Sequence, residues 1–318
     1  MNSDPLHKFD LDQYLQRQSA VIDRALEHYL EKYPGESQTI FRAMRYGVFP
    51  GGKRIRPILV LAAGELFGAP LSSLLPFACA VEMIHAYSLI HDDLPALDND
   101  DLRRGEPTAH KVFGDGMALL AGDGLLTEAF HLMSSADATR CVAPELTVRL
   151  IHELSHAVGV GGLVGGQALD LEAENDYDVD LATVEWIHVR KTGGLILASI
   201  RLGAQVACAE PEDLGRITRY GERLGLAFQI ADDILDVLGH SGAGEGAESS
   251  HKERKKATYP SVVGIPQARE TLKELLQLCL DEVAPYGAQA VPLQGIARLI
   301  VARAIRGDSK PISEETNS

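Results

Sequence analysis

Apolar residues recur along this chain at the three-to-four-residue spacing of amphipathic helices, and strand-like alternation is nearly absent. The stretch Leu11–Lys32 carries Leu15, Ala20, Val21, Ala25 and Tyr29 as one stripe, and Pro34-Gly35 closes it. Gln38–Tyr46 reads as a short second helix. Pro57–Leu66 is strongly apolar and opens on a proline, which is well placed in a first helical turn. Ser72–His91 is apolar on all sides, the pattern of a buried helix. Further helices are predicted over Gly116–Ser134, Ala143–Gly159, Val179–Cys208, Pro211–Leu238, Ser261–Tyr286 and Leu293–Ile305. The fold class this predicts is all-α.

The pattern lapses at 239–256, GHSGAGEGAESSHKERKK, which is Gly/Ser-rich and then basic. It lies between two apolar helices, so it reads as a flexible active-site loop inside one domain spanning 1–318.

Composition narrows the function classes. Of 318 residues, 45% are hydrophobic but only 6% aromatic, so aliphatic side chains must fill the core, as helix-on-helix packing allows. Thirty Lys+Arg face 45 Asp+Glu, a net charge of −15 that argues against a nucleic acid partner. Cys79, Cys141, Cys208 and Cys279 are widely spaced in apolar surroundings with no CxxC pair, which predicts buried, reduced thiols in a cytoplasmic protein. The polar, acidic N-terminus has no targeting character. No uninterrupted apolar run reaches the roughly 18 residues of a membrane span, so no stable span is expected.

Two acidic clusters stand out. Gln229, Asp232, Asp233 and Asp236 fall at i, i+3, i+4 and i+7, so a helix projects them to one face. Two carboxylates about 4 Å apart at an effective dielectric near 20 repel by roughly 4 kcal/mol. In a segment otherwise apolar, such a patch calls for hard cations, and oxygen donors select Mg²⁺, Mn²⁺ or Ca²⁺. In the other cluster, Asp92-Asp93 end a helix because Pro95 disfavours helical backbone just before it. Asp98 then folds back toward Asp92. His85 lies two turns before Asp92 on the same face, and Arg103-Arg104 follow, as a clamp on metal-bound phosphate would require.

Basic sites complete a phosphate inventory. Gly51-Gly52-Lys53-Arg54-Ile55-Arg56-Pro57 is a Gly-rich turn with three cations at a helix start. Lys191-Thr192-Gly193-Gly194 puts a glycine pair in a helix at about 2 kcal/mol relative to alanine, which predicts a functional kink. Lys256 ends the 239–256 loop. The pair His91-Asp92 also permits a two-metal phosphohydrolase, a reading that leaves the second Asp cluster and the Gly51–Pro57 turn unused.

These segments resemble the signatures of trans-prenyl diphosphate synthases in order and approximate spacing. They are GGKRIRP, IHAYSLIHDDLPALDNDDLRRG, GGQALDL, KTGGL and FQIADDILDV. The DDxxxxD form of the first Asp motif is that of bacterial farnesyl diphosphate synthases. The resemblance implies helices around a deep central cavity, usually in a homodimer. It also implies head-to-tail condensation of isopentenyl diphosphate with an allylic diphosphate such as dimethylallyl or geranyl diphosphate. It implies Mg²⁺, three ions for which Mn²⁺ can substitute. Asp92 and Asp98 would bind metal with Asp93 in support, and Asp232 would bind the remaining ion with Asp233 and Asp236 close by. Arg103, Lys191, Thr192, Gln229 and Lys256 would hold the allylic diphosphate; Lys53, Arg56, His85 and Arg104 would hold isopentenyl diphosphate. Tyr87 and Ser88, one turn before the first Asp pair, would floor the elongation pocket. A bulky Tyr87 favours a farnesyl product over the geranylgeranyl alternative. One departure is that Gly246 and His251 stand roughly where the family carries a Gly-Lys and an Asp. A non-catalytic partner subunit would be expected to have eroded Asp motifs, and both are intact.

Overall fold

A computed structural model describes residues 9–31, 38–49, 51–173, 181–242 and 258–306. The chain gathers into two compact units. One comprises Asp10–Ser155 with Ser199–Leu214, the other His156–Ala198 with the chain from Gly215 on. We call them the amino-terminal and carboxy-terminal units.

In the amino-terminal unit, α1 (Leu11–Leu30) starts where the Asp10 carboxylate accepts from the Gln13 amide at 2.9 Å. It is followed by α2 (Gln38–Val48), α3 (Ile55–Leu66) and α4 (Leu71–Asp92). A short antiparallel pair, β1 (Leu102–Arg103) with β2 (Glu106–Pro107), precedes α5 (Ala109–Phe113), α6 (Asp115–Met133), α7 (Ala136–Thr139) and α8 (Pro144–Val158). The centre is α4, which packs against α1, α2, α3 and α6. Leu74, Phe77, Met83 and Ile84 are almost wholly buried there, each contributing roughly 1.5–3 kcal/mol relative to exposure. By length and composition alone α4 is apolar enough to cross a bilayer. Yet 83% of its most apolar window is buried inside the fold, so it is a core helix.

The carboxy-terminal unit holds α9 (Leu163–Ala173), α10 (Leu181–His188) and a π-helical turn (Val189–Gly193) that leads into α11 (Gly194–Val206), which from Ser199 on belongs to the amino-terminal unit. Then come α12 (Pro211–Gly242), α13 (Tyr259–Val263), α14 (Ile265–Val283), a 3₁₀ segment (Ala284–Ala290) and α15 (Val291–Arg306). The buried Tyr220 hydroxyl donates to the Leu293 carbonyl at 2.8 Å, tying α12 to α15. Glu282 on α14 accepts from both Arg219 and Arg223 of α12.

The predicted elements are present with specific revisions. The expected kink near Lys191 is the π turn, a form that often marks functional sites. α9 was not predicted. α12 runs to Gly242, so 239–242 is helix, and the rest of the predicted 239–256 loop lies outside the described residues. The helix predicted from Ser261 is divided by Gly264 (φ 83°) into α13 and α14. Cys79 and Cys279 are buried, but Cys141 and Cys208 are exposed, against expectation.

Candidate active site

In the amino-terminal unit the Gly51–Pro57 turn divides its cations between two jobs. Arg54 adopts left-handed backbone (φ 47°) as it opens α3. Its buried guanidinium donates to Asp23 Oδ1 at 2.9 Å and Glu82 Oε1 at 2.6 Å. Arg54 is therefore a tie between α1, α3 and α4, and Lys53 and Arg56 are the turn's candidate anion ligands. Arg56 reaches α4, where its Nη1 lies 3.4 Å from His85 Nε2. Burial, then Arg56, Arg104, Arg103 and Arg54, hold the His85 imidazole well below the usual histidine range. A neutral His85 can accept from a guanidinium or donate to a phosphate oxygen.

The β1–β2 hairpin delivers the arginines. Its turn residues Arg104 (φ 55°) and Gly105 (φ 82°) both take positive φ, as the tightest hairpin turns require. Arg104 Nη1 donates to the Gly51 carbonyl, and a Cβ on Gly52 would lie 2.9 Å from that nitrogen. Gly52 thus makes room for the guanidinium. Arg103 engages both oxygens of the buried Asp93 through Nε (2.8 and 2.9 Å), and its Nη2 lies 2.6 Å from Oδ1. Burial raises the Asp93 pKa while Arg103 opposes the rise.

The fold-back predicted from Pro95 is present. The Asp98 amide donates to the Asp92 carbonyl at 2.8 Å, and Asn99 (φ 53°) turns its amide to the Leu94 carbonyl at 3.1 Å. Asp92 and Asp98 are half-buried, and Asp93 is the buried member. Tyr87 and Ser88 lie on the α4 side of this site, both buried. The Ser88 hydroxyl turns back to the His85 carbonyl at 2.9 Å. His91 Nε2 meets the Leu119 carbonyl at 3.0 Å, so its ring is engaged with α6.

In the carboxy-terminal unit α12 carries the second cluster. Asp232 and Asp236 are exposed, whereas Asp233 is buried. Asp233 accepts from Gln229 Nε2 at 2.9 Å and from the Tyr259 amide at 2.7 Å. The predicted one-face array therefore splits, because its edge rotates Asp233 into the start of α13. Burial raises the Asp233 pKa, the Gln229 and Tyr259 hydrogen bonds lower it, and Asp170 raises it again.

Lys191 Nζ lies 2.6 Å from Asp170 Oδ2 of α9, with the half-buried Thr192 beside it. A Cβ on Gly166 would fall 2.5 Å from the Lys191 backbone nitrogen, and one on Gly225 would fall 2.8 Å from Gly193 Cα. These glycines let α9 and α12 close on the π turn. Asp170 was not singled out from sequence; its signal was the lone carboxylate ending GGQALDL. Lys256 lies outside the described residues.

Among the described residues no three His, Cys, Asp or Glu side chains converge as a metal group. The candidate donors are Asp92 and Asp98, joined through the Asp98 amide and the Asp92 carbonyl, and Asp232 and Asp236, four residues apart on α12. Mg²⁺ is commonly held by one or two carboxylates with substrate phosphates and water completing its octahedron. The donor chemistry fits a diphosphate-dependent Mg²⁺ site.

A family model described as polyprenyl synthetase matches residues 37–286. The chain belongs to that family. A farnesyl diphosphate synthase of Geobacillus stearothermophilus is 41% identical over 296 residues, 93% of this chain and 99% of that one. A geranylgeranyl diphosphate synthase of Cyanophora paradoxa is also 41% identical, over 295 residues, 93% of this chain and 97% of that one. A solved geranyltransferase of Legionella pneumophila superposes with TM-score 0.84 at 33% identity, covering 92% of this chain and 97% of that one. The polyprenyl synthetase is accordingly a trans-prenyltransferase of the all-helical isoprenoid synthase type. Its family is generally Mg²⁺-dependent.

Proposed function

We propose that this prenyl synthase condenses isopentenyl diphosphate with dimethylallyl and geranyl diphosphates to release trans-farnesyl diphosphate. The observation that carries the reading lies in the amino-terminal unit. A cationic group of Arg56, His85 and Arg104 is joined through Arg103 to the Asp92–Asp98 fold-back, since Arg103 acts electrostatically on both His85 and Asp92. A condensing enzyme needs an acceptor diphosphate site beside its metal carboxylates, whereas a hydrolase, with water as acceptor, does not. The engagement of His91 with the Leu119 carbonyl also disfavours the phosphohydrolase reading.

Lys53, Arg56, His85 and Arg104 hold isopentenyl diphosphate in this proposal, and Arg103, fixed by Asp93, faces the allylic diphosphate. In the carboxy-terminal unit Lys191, Thr192 and Gln229 are assigned to diphosphate oxygens, as is Lys256. Asp92, Asp98, Asp232 and Asp236 would hold Mg²⁺, with Asp233 anchoring the last two. When bound, Mg²⁺ supplies charge stabilisation to the departing diphosphate. The guanidinium and ammonium groups share that task, and fixed cations in a dry site do so without reorganising. The apolar wall of α4 keeps water from the allylic cation. The departing diphosphate takes the proton lost after the new carbon–carbon bond forms. Tyr87 limits chain length, which favours farnesyl over geranylgeranyl. The protein acts as a cytoplasmic homodimer, and its two units form one synthase domain, consistent with a family model that runs through both.

Purified protein given Mg²⁺, isopentenyl diphosphate and either primer, with products dephosphorylated and separated by length, tests the reading. Farnesol as the main alcohol is the expected result. Geranylgeraniol as the main alcohol would overturn the product assignment, and diphosphate release without chain growth would overturn the condensation.

A further inference from the structure

Tyr87 is buried against a second ring. Its ring and that of His91, one turn later on α4, meet edge to face at 5.6 Å between centroids and 82° between planes. Helical side chains lean toward the N-terminus, so His91 bears on the turn that carries Tyr87. His91 is itself seated. Its Nε2 lies 3.0 Å from the Leu119 carbonyl of α6 and 3.8 Å from Asp123 Oδ1. The seat exists because residue 122 is glycine. A Cβ there would stand 2.1 Å from His91 Nε2 and 2.3 Å from Cδ2, closer than any real contact. Gly122 lies inside α6, where glycine is a poor helix former, so its lack of a side chain has a spatial use. The Tyr87 hydroxyl is buried and, among the described residues, has no hydrogen-bond partner. Its ring is thus held by packing against His91 and its other neighbours, not by a bond at its tip.

We propose that His91 and Gly122 determine product specificity by holding Tyr87 as the floor of the elongation pocket. Gly122 admits the His91 ring, and the His91 ring stops Tyr87 from swinging toward α6 as the product grows. The inference rests on the assignment of Tyr87 as that floor. Loss of the buttress lets the floor yield, so a farnesyl product re-enters as substrate and emerges as geranylgeranyl.

The test is the geranylgeranyl-to-farnesyl ratio made by His91→Ala, Gly122→Ala and His91→Phe, with Tyr87→Ala as reference. The ratio is counted per product released, so a smaller folded fraction leaves it unchanged. One methylene of pocket discrimination changes selectivity roughly tenfold or more. We expect at least about that rise for His91→Ala and Gly122→Ala, and a ratio near the parent's for His91→Phe, which keeps a ring. A parental ratio in His91→Ala, with Tyr87→Ala lengthening the product, overturns the buttress and leaves the floor assignment standing. A parental ratio in Tyr87→Ala overturns the floor assignment itself.

Discussion

The two acidic regions reach one arrangement by different local means. At the first, α4 ends, Pro95 turns the chain and Asp98 folds back to the Asp92 carbonyl. At the second, α12 continues unbroken through Asp232, Asp233 and Asp236. In both, the second Asp of the pair is buried, Asp93 at 3% and Asp233 at 4% exposure, while its neighbours stay more accessible. The buried member is held by hydrogen bonds inside the protein, and the other members are more open to solvent. What differs is the donor. Asp93 meets the guanidinium of Arg103, whereas Asp233 meets a neutral amide side chain and the Tyr259 backbone amide. The printed bonds to Asp93 come from a charged donor, and those from Gln229 and Tyr259 to Asp233 come from neutral donors.

That difference is open to direct attack. The largest effect is expected at the backbone beneath the second region. Gly166→Ala would drive a methyl into the Lys191 backbone nitrogen, and overpacking of this kind destabilises by roughly 1–3 kcal/mol. Displacing Lys191 by about an ångström costs turnover near 10²-fold. Chemical denaturation and steady-state rates measure both. Parental stability and turnover would show that the close approach is not needed.

Next in size is Asp93→Asn, which removes the partner of Arg103. Losing hydrogen bonds to a charged group lowers stability by about 1.5–3 kcal/mol. Asp233→Asn should cost less, because the bonds from Gln229 and Tyr259 that it weakens come from neutral donors. An Asn side chain has one accepting oxygen, so it keeps one of these two bonds and loses the other, at about 0.5–1.5 kcal/mol. Equal losses in the two variants would erase the distinction between the regions.

The smallest effect is in pH. Asp233 has a folded pKa raised above the ordinary carboxylate value, mainly by burial. The folded state therefore binds the proton more tightly than the unfolded chain, and stability falls as pH rises from the ordinary value through the folded pKa. Relative to the parent, Asp233→Asn should therefore be at its most stable above that folded pKa and at its least stable below the ordinary carboxylate range. Thermal midpoints across acidic to neutral pH measure it. A deficit of Asp233→Asn that shrinks toward acid would contradict the buried-charge account.

Much of this was legible in the sequence where the cause is local. The residue-before-proline rule placed the end of α4 and the return of Asp98. The glycine pair after Thr192 announced a break, though not that it would be a π turn. What could not be read depends on distant partners. Arg54 looked like a phosphate ligand until Asp23 and Glu82 closed on it from two other helices. Asp233 looked equivalent to Asp232 and Asp236 until the start of α13 met it. α9 was hidden because Gly161, Gly162, Gly165 and Gly166 depress helix propensity. At Gly166 a glycine is needed for contact with the π turn, a tertiary requirement that overrides the local preference.

The proposed function assigns both acidic regions to metal-dependent diphosphate departure and the acceptor diphosphate to a separate set of residues. Turnover of Asp92→Ala and Asp232→Ala, measured beside their affinity for isopentenyl diphosphate, tests it most directly. Removing one preorganised stabiliser of developing charge costs about 10²–10³-fold in rate, so each variant should lose at least that while its isopentenyl diphosphate affinity stays near the parent's. Near-parental turnover in both variants would contradict the account.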